Sequence, residues 1–94
     1  MYARLVLVTL GSGGRSTAQA LSDELAPAIS ALKGCESVTF FGDDTDGEYG
    51  LFVLWETKDD ADAAAQVIGP RLMKGLSGSV EEPPKLRLFE VLNR

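Results

Sequence analysis

Trp55 is the residue of this sequence with the clearest chemical potential. Its indole has a large flat apolar face and one N–H donor, which suit the wall of a pocket for an aromatic ligand. Tyr49 falls on the same face of a predicted strand, and Arg71 and Lys74 follow in a predicted helix, where a cation can reach a ligand oxygen. The sequence therefore predicts ligand binding by Trp55, Tyr49, Arg71 and Lys74, and it assigns no catalytic residue.

Each of these residues also has a structural explanation. A tryptophan near the end of a strand is most often core, and cations late in a helix interact favourably with the negative end of the helix dipole. If the Trp55 side of the strand meets a partner subunit instead of the helices, Trp55 anchors an interface and the pocket disappears. Both faces of the strand are apolar, so the sequence leaves this choice open.

The residue types exclude several kinds of catalytic site. The chain has no histidine and a single cysteine, Cys35, so neither a Ser-His-Asp set nor a Cys-His pair can form. Proton transfer would fall to carboxylates, tyrosines, lysines or water. A zinc or iron site made of protein ligands is not expected for the same reason. We expect no metal and no cofactor.

Two short stretches resemble binding loops and depart from their patterns. Residues 11–16, GSGGRS, precede a predicted helix, but they lack the third glycine of a dinucleotide loop and the lysine of a phosphate loop. Residues 43–48, DDTDGE, would place Gly42 and Val53 at the first and last ligand positions of a calcium loop. We interpret the first stretch as a turn and the second as the tip of a hairpin.

The charge distribution argues against two classes of partner. The formal net charge is -5 at pH 7, and the nine lysines and arginines are dispersed along the chain. An acidic surface repels both nucleic acid and anionic membranes, so neither is expected as a partner. No apolar stretch reaches the roughly 18–20 residues needed to span a bilayer. The single cysteine and the lack of a signal pattern predict a cytoplasmic protein.

Runs of β-branched, aromatic and aliphatic residues predict four strands. The predicted strands cover residues 2–10, 35–41, 48–56 and 86–92. An Asp-Gly pair between the second and third strands predicts a hairpin. Residues 78–85, which contain two prolines, are predicted to form a loop before the last strand.

Two helices are predicted between these strands. The first begins at Ser16, whose hydroxyl could form a capping box with the Gln19 amide, and ends at Gly34. Its interior Pro27 predicts a kink or a break into two short helices.

The second helix is predicted to begin after Thr57, because aspartates fill the first turn, where the helix dipole favours carboxylates. Small alanines form a narrow face that allows close packing on a sheet. Gly69-Pro70 predicts a bend or break.

The element order βαββαβ predicts a single domain over residues 1–94 with an α+β, ferredoxin-like fold. Four antiparallel strands would form one sheet with both helices on one face. The strands are nevertheless apolar on both faces, which indicates a sheet buried on both sides. We expect a second copy of the chain to cover the free face, giving a homodimer.

Several features together resemble the antibiotic biosynthesis monooxygenase-like family. They are the element order, Gly34-Cys35 opening the second strand, LWET at residues 54–57 and PPK before the last strand. The resemblance implies a dimeric α+β barrel in which two sheets pack face to face. It also implies cofactor-independent oxygenation of an aromatic or polyketide-like small molecule.

The functional positions of that family match in part. Quinone-forming members have a tryptophan at the position of Trp55, whereas their asparagine and tyrosine positions correspond here to Leu51 and Ala61, and their arginine corresponds to Arg71. Haem-degrading members need a histidine and are excluded. The alternative to an oxygenase is a non-catalytic homodimer that binds a small apolar or aromatic ligand or serves a stress-related role.

Overall fold

The computed structural model describes residues 1–11, 13–76 and 83–93. The elements follow the order βαββαβ, as the sequence predicts. The strands are β1 (Tyr2–Thr9), β2 (Cys35–Asp43), β3 (Glu48–Trp55) and β4 (Lys85–Glu90), and the helices are α1 (Arg15–Ser30) and α2 (Lys58–Leu76).

The four strands form one antiparallel sheet in the order β2-β3-β1-β4. The two central strands run side by side with Val6 opposite Leu51 and Leu5 opposite Phe52. Buried residues of both helices join one core cluster with one face of this sheet. The predicted ferredoxin-like α+β fold is confirmed.

The side of the sheet that meets the helices, which the sequence left open, carries Trp55. Alternation along β3 places Tyr49, Leu51, Val53 and Trp55 on that side, and all four are buried. The helices contribute the other half of the core. Their buried residues are Leu21, Leu25, Ile29, Ala61, Ala64, Leu72 and Leu76.

The opposite side of the sheet, here called the open face, is apolar, and neither α1 nor α2 packs on it. Leu5 and Leu7 of β1 and Phe52 and Leu54 of β3 occupy its centre and are partly buried only by their neighbours in the sheet. Phe41 and Phe89 lie toward its two edges, with 40% and 41% of their surface exposed. The Arg87 guanidinium stacks over the Phe89 ring at 4.7 Å from its centroid.

The start of α1 differs from the prediction. Gly14 is its N-cap, and no side chain makes a capping hydrogen bond there. The Gln19 amide instead donates to the Asp23 carboxylate along the helix surface, at 3.0 Å. The predicted capping box at Ser16 is therefore wrong, because the helix begins one residue earlier and places Ser16 inside its first turn.

Neither proline breaks its helix. Pro27 lies in the last turn of α1, where its missing N–H removes one backbone hydrogen bond. The helix ends at Ser30 rather than at Gly34. Pro70 lies within α2, which continues to Leu76. The residue before Pro70 is Gly69, which has no Cβ to collide with the proline ring. The main steric clash that disfavours a helical conformation before proline is therefore absent.

The start of α2 agrees with the prediction. The Asp60 backbone N–H donates to the Thr57 hydroxyl at 3.0 Å, which caps the helix, and Asp59 and Asp60 occupy the first turn. The loop predicted at residues 78–85 lies mostly outside the described residues. Among the described residues, no helix is both long and apolar enough to cross a membrane.

Candidate functional site

A cavity of about 100 Å³ lies between the sheet and α2, beside Trp55. Trp55 and Val53 on β3 form one wall and are each 2% exposed. At β4 the cavity is bounded by Leu86, which is 60% exposed, so this side opens toward solvent. The remaining described lining residues are Arg4, Val6, Leu51, Ala61, Ala64, Ala65, Ile68, Gly69 and Leu72.

The cavity exists because α2 presents small residues to the sheet at this level. Ala61, Ala64, Ala65 and Gly69 line it from the helix side and fall at the three- and four-residue spacing of one helix face. Their short side chains do not fill the space that separates the helix from the large residues of β3. A sequence with leucines at these positions would close it.

The cavity wall is chemically simple. Among the described residues that line it, only Arg4 and Trp55 have polar side-chain atoms. An apolar cavity of about 150 Å³ in another protein holds benzene, so about 100 Å³ with an open side suits one aromatic ring. The wall therefore fits an apolar ring whose polar substituent lies near Arg4 or the indole.

The four predicted ligand-binding residues do not all meet at this cavity. Trp55 forms part of its wall, but Tyr49 lies six residues away along β3, roughly 20 Å at the rise of a strand. Arg71 and Lys74 are exposed residues of α2 and are not part of the lining. The cation that does line the cavity is Arg4.

Tyr49 belongs to a second, smaller cavity of about 40 Å³ toward α1. Leu51 and Leu72 line both cavities and so form the partition between them. A ligand that extended from Trp55 toward Tyr49 would have to displace these two leucines. The packing in this structure therefore limits how far a ligand beside Trp55 can extend toward Tyr49.

The Tyr49 hydroxyl connects the strand to the hairpin tip. It donates to the Asp44 carboxylate at 2.7 Å, and the Arg15 guanidinium donates to the other oxygen of the same carboxylate at 3.0 Å. The hydrogen bond from Tyr49, followed by the charge of Arg15, holds the pKa of Asp44 below its usual value, and the same bond raises the pKa of Tyr49. These contacts anchor the hairpin to the first turn of α1.

Replacing Tyr49 with phenylalanine is expected to lower stability in a pH-dependent way. Because the folded pKa of Asp44 lies below its ordinary value of 3.8, the stabilisation is fully present above that value and is lost as the pH falls through the folded pKa. The stability difference between the wild type and Tyr49→Phe should therefore shrink in acid. Denaturant titrations over a pH series measure it.

The matched control for this experiment is Tyr2→Phe. Tyr2 is the other tyrosine of the chain and pairs with Trp55 at the opposite end of the sheet from Asp44. Its stability difference from the wild type should not follow the Asp44 titration. A Tyr49→Phe difference that stays constant from neutral pH down to acid would contradict the assignment of Asp44 as the acceptor.

Cys35 behaves as a small apolar residue. It packs against the edge of the core, and its thiol contacts the Ser37 carbonyl oxygen at 3.8 Å. Burial raises the pKa of the Cys35 thiol, which keeps it protonated at neutral pH. No group in the described part of the chain lowers the pKa of this thiol below its ordinary value.

Arg4 is the site residue that sequence reasoning missed. In composition it is only one of nine dispersed lysines and arginines. The signal was nevertheless present, because alternation in β1 places Arg4 on the same side as Val6 and Val8, both of which are core. A charged residue on the core side of a strand is unusual and indicates a nearby polar partner or opening.

No family model and no curated protein sequence matches this chain. Solved structures do match over nearly all of it. A Nitrosomonas europaea protein assigned to the antibiotic biosynthesis monooxygenases superposes with a TM-score of 0.85 at 15% identity, covering 99% of this chain and 100% of the other. Rv0793 from Mycobacterium tuberculosis superposes with a TM-score of 0.78 at 19% identity, covering 99% of this chain and 96% of the other.

A third match carries a bound molecule. The monooxygenase from the gene ActVA-Orf6 of Streptomyces coelicolor, solved in complex with the ligand Nanaomycin D, superposes with a TM-score of 0.79 at 14% identity. The match covers 99% of this chain and 88% of that one. At these identities the likeness establishes the fold, and the resemblance predicted from the sequence is confirmed at that level.

Proposed function

Because the chain has the fold of the antibiotic biosynthesis monooxygenase-like proteins, we propose that it oxygenates a hydroxylated single-ring aromatic molecule without a cofactor. The observation that carries the proposal is the apolar cavity of about 100 Å³ beside Trp55, on the helix side of the sheet. Its size suits one ring, and its wall offers an indole face and one cation. The Streptomyces protein of the same fold holds a small molecule, Nanaomycin D.

The proposed oxygenation requires little from the protein beyond binding the substrate. A hydroquinone and dioxygen would give a hydroxyquinone and water, with one oxygen atom entering the ring and the other leaving with two substrate hydrogens. The substrate supplies the electrons. The protein contributes by orienting the ring, excluding water and stabilising negative charge on the phenolic oxygen. Among the described lining residues, Trp55 can orient the ring and Arg4 can stabilise the negative charge.

A second candidate function is a non-catalytic homodimer that binds the same kind of molecule. The composition of the cavity wall favours it, because no carboxylate, tyrosine or lysine is among its described lining residues. A phenol bound there would have to lose its proton to water. The two functions share the binding step and differ in whether oxygen is consumed.

Binding and turnover can be measured separately. Trp55 is the sole tryptophan, so the intrinsic emission of the protein reports from the cavity wall. Toluene is expected to change this emission with a dissociation constant of roughly 0.1–1 mM, as befits a small ring in an apolar cavity. With hydroquinone, an oxygenase should incorporate label from isotopic dioxygen into a hydroxyquinone. Binding without incorporation would favour the second function.

The matched control is Ala64→Leu, which fills the cavity from α2. Ala64 is 5% exposed and lines the space directly. The added carbons should weaken toluene binding by more than tenfold and abolish any label incorporation, while circular dichroism shows an unchanged fold. If neither toluene nor hydroquinone changes the emission of the wild type, the proposed function is wrong.

We also propose that the functional unit is a homodimer formed through the open face. Six large apolar residues on one side of a sheet in a 94-residue chain are more than a stable monomer usually leaves in water. A second copy offers a surface of the same size and chemistry, related by two-fold symmetry. Since the cavity lies on the opposite side of the sheet, each subunit keeps its own.

A further inference from the structure

Arg4 lies on the side of β1 whose other residues, Val6 and Val8, belong to the core. It lies on the helix-facing side of β1 beside Val6, and its partners on the neighbouring strands are Val53 and Leu88. Its side chain is only 22% exposed. Burying a guanidinium among apolar residues costs desolvation free energy unless a nearby group accepts its hydrogen bonds.

Asp62, the described partner of Arg4, uses little of the hydrogen-bonding capacity of its guanidinium. One nitrogen, Nη2, lies 3.5 Å from Asp62 Oδ1, at the outer limit of a hydrogen bond. A guanidinium has five N–H donors in a planar fork suited to binding two oxygens at once. Most of this donor capacity is not used by Asp62.

Asp62 has a second cation and does not depend on Arg4. Lys58, one helical turn earlier in α2, lies 3.3 Å from its other oxygen, Oδ2. If the guanidinium turned toward a ligand in the cavity, Asp62 would keep a neutralising partner. The arrangement therefore lets Arg4 exchange one carboxylate for another at small cost in charge balance.

The cavity supplies the reason for such an exchange. Arg4 is the one charged residue among its described lining residues. We propose that Arg4 selects ligands in which the aromatic ring carries an anionic oxygen, such as a carboxylate or a phenolate. The ring would occupy the apolar space beside Trp55, and the oxygens would replace Asp62 on the guanidinium. The inference rests on the proposed function in using the same cavity.

Three probes of one shape test this selection, namely benzoate, benzamide and toluene, each followed by the emission of Trp55. Benzoate is expected to bind wild-type protein about tenfold more tightly than benzamide, the ratio typical of one charge-assisted contact in a partly exposed site. Arg4→Met should remove that preference while leaving toluene binding within about twofold. A Met side chain preserves most of the apolar stem.

Matched variants separate a specific contact from a general charge effect. Lys33→Met removes the same charge from an exposed residue outside the cavity lining and should leave the preference intact. Asp62→Asn frees the guanidinium and should tighten benzoate about threefold, the size expected for losing one partly exposed competing ion pair. If Arg4→Met fails to fold, Asp62→Asn tests the selection by Arg4 instead.

The outcomes distinguish this inference from the proposed function. If toluene binds and benzoate shows no preference, or keeps its preference in Arg4→Met, Arg4 does not select the ligand and the cavity proposal stands. If the preference is lost in Arg71→Met instead, the cation predicted from the sequence is the correct one. If no probe binds, the cavity proposal fails as well.

Discussion

Replacing Phe52 with lysine is expected to convert the proposed homodimer to a monomer of 10.0 kDa. Phe52 lies on the open face of the central strand β3, opposite Leu5 on β1 and Thr39 on β2. A lysine there would put an ammonium into an apolar interface. Two-fold symmetry introduces it twice, so a loss of about 2 kcal/mol per site raises the dissociation constant roughly 1,000-fold.

Light scattering at micromolar concentration measures the change directly. The matched control is Val67→Lys, which introduces the same charge at an apolar residue that is 51% exposed on α2, away from the open face. That variant should keep the dimer mass. A wild-type mass of one chain would disprove the dimer, and a Phe52→Lys protein that stays dimeric would place the interface elsewhere.

The same variant tests whether the two sides of the sheet act independently. Phe52 points away from the helices, whereas its neighbours Leu51 and Val53 line the cavity. The Phe52→Lys monomer should therefore still bind toluene with nearly the wild-type affinity. If binding disappears with the dimer, the partner subunit completes the site, and the cavity of one chain is insufficient.

The fold was predictable from the sequence because most of the local signals agreed with one another. Apolar alternation, the Thr57 cap and the Asp-Gly pair of the hairpin each indicate one local structure, and together they permit one topology. The two prolines were overestimated as breaks. Pro27 falls where its helix is already ending, and Pro70 follows a residue without a Cβ, so neither imposes its full steric penalty.

The site was only partly predictable, for a reason of geometry. Alternation along β3 correctly places Trp55 and Tyr49 on one face of the sheet, but the two residues are six positions apart. Leu51 and Leu72 divide the space between them into two cavities. Arg71 lies outside the α2 face that carries the buried Ala61 and Ala64, and it is exposed. The spacing of these small residues already indicated that face, so the assignment of Arg71 to the site did not follow from the helix pattern. Arg4 comes to the cavity from β1, which is far from Trp55 in sequence and opposite Val53 in the sheet.

Gly47→Ala is expected to cause a large loss of stability with no effect on the chemistry of the cavity. Gly47 has a φ of 70°, and a Cβ there would lie 2.7 Å from the Gly11 Cα and 2.9 Å from the Gly11 N and C atoms. Those atoms are backbone and cannot rotate away. The hairpin would have to move, which would break the hydrogen bonds from the Leu10 and Gly11 N–H groups to the Gly47 carbonyl, now at 2.8 and 3.3 Å.

The expected loss has two parts that a second variant separates. A non-glycine residue with positive φ costs about 1–2 kcal/mol, and two lost hydrogen bonds add about 1 kcal/mol each. Gly13→Ala has the first part alone, because Gly13 has a φ of 79° but no described atom within 4 Å of its added Cβ. Thermal unfolding at one protein concentration should therefore show Gly47→Ala losing about 3–4 kcal/mol and Gly13→Ala about 1–2 kcal/mol. Equal losses would mean that the contact between residues 47 and 11 contributes nothing, and that backbone conformation alone determines the effect.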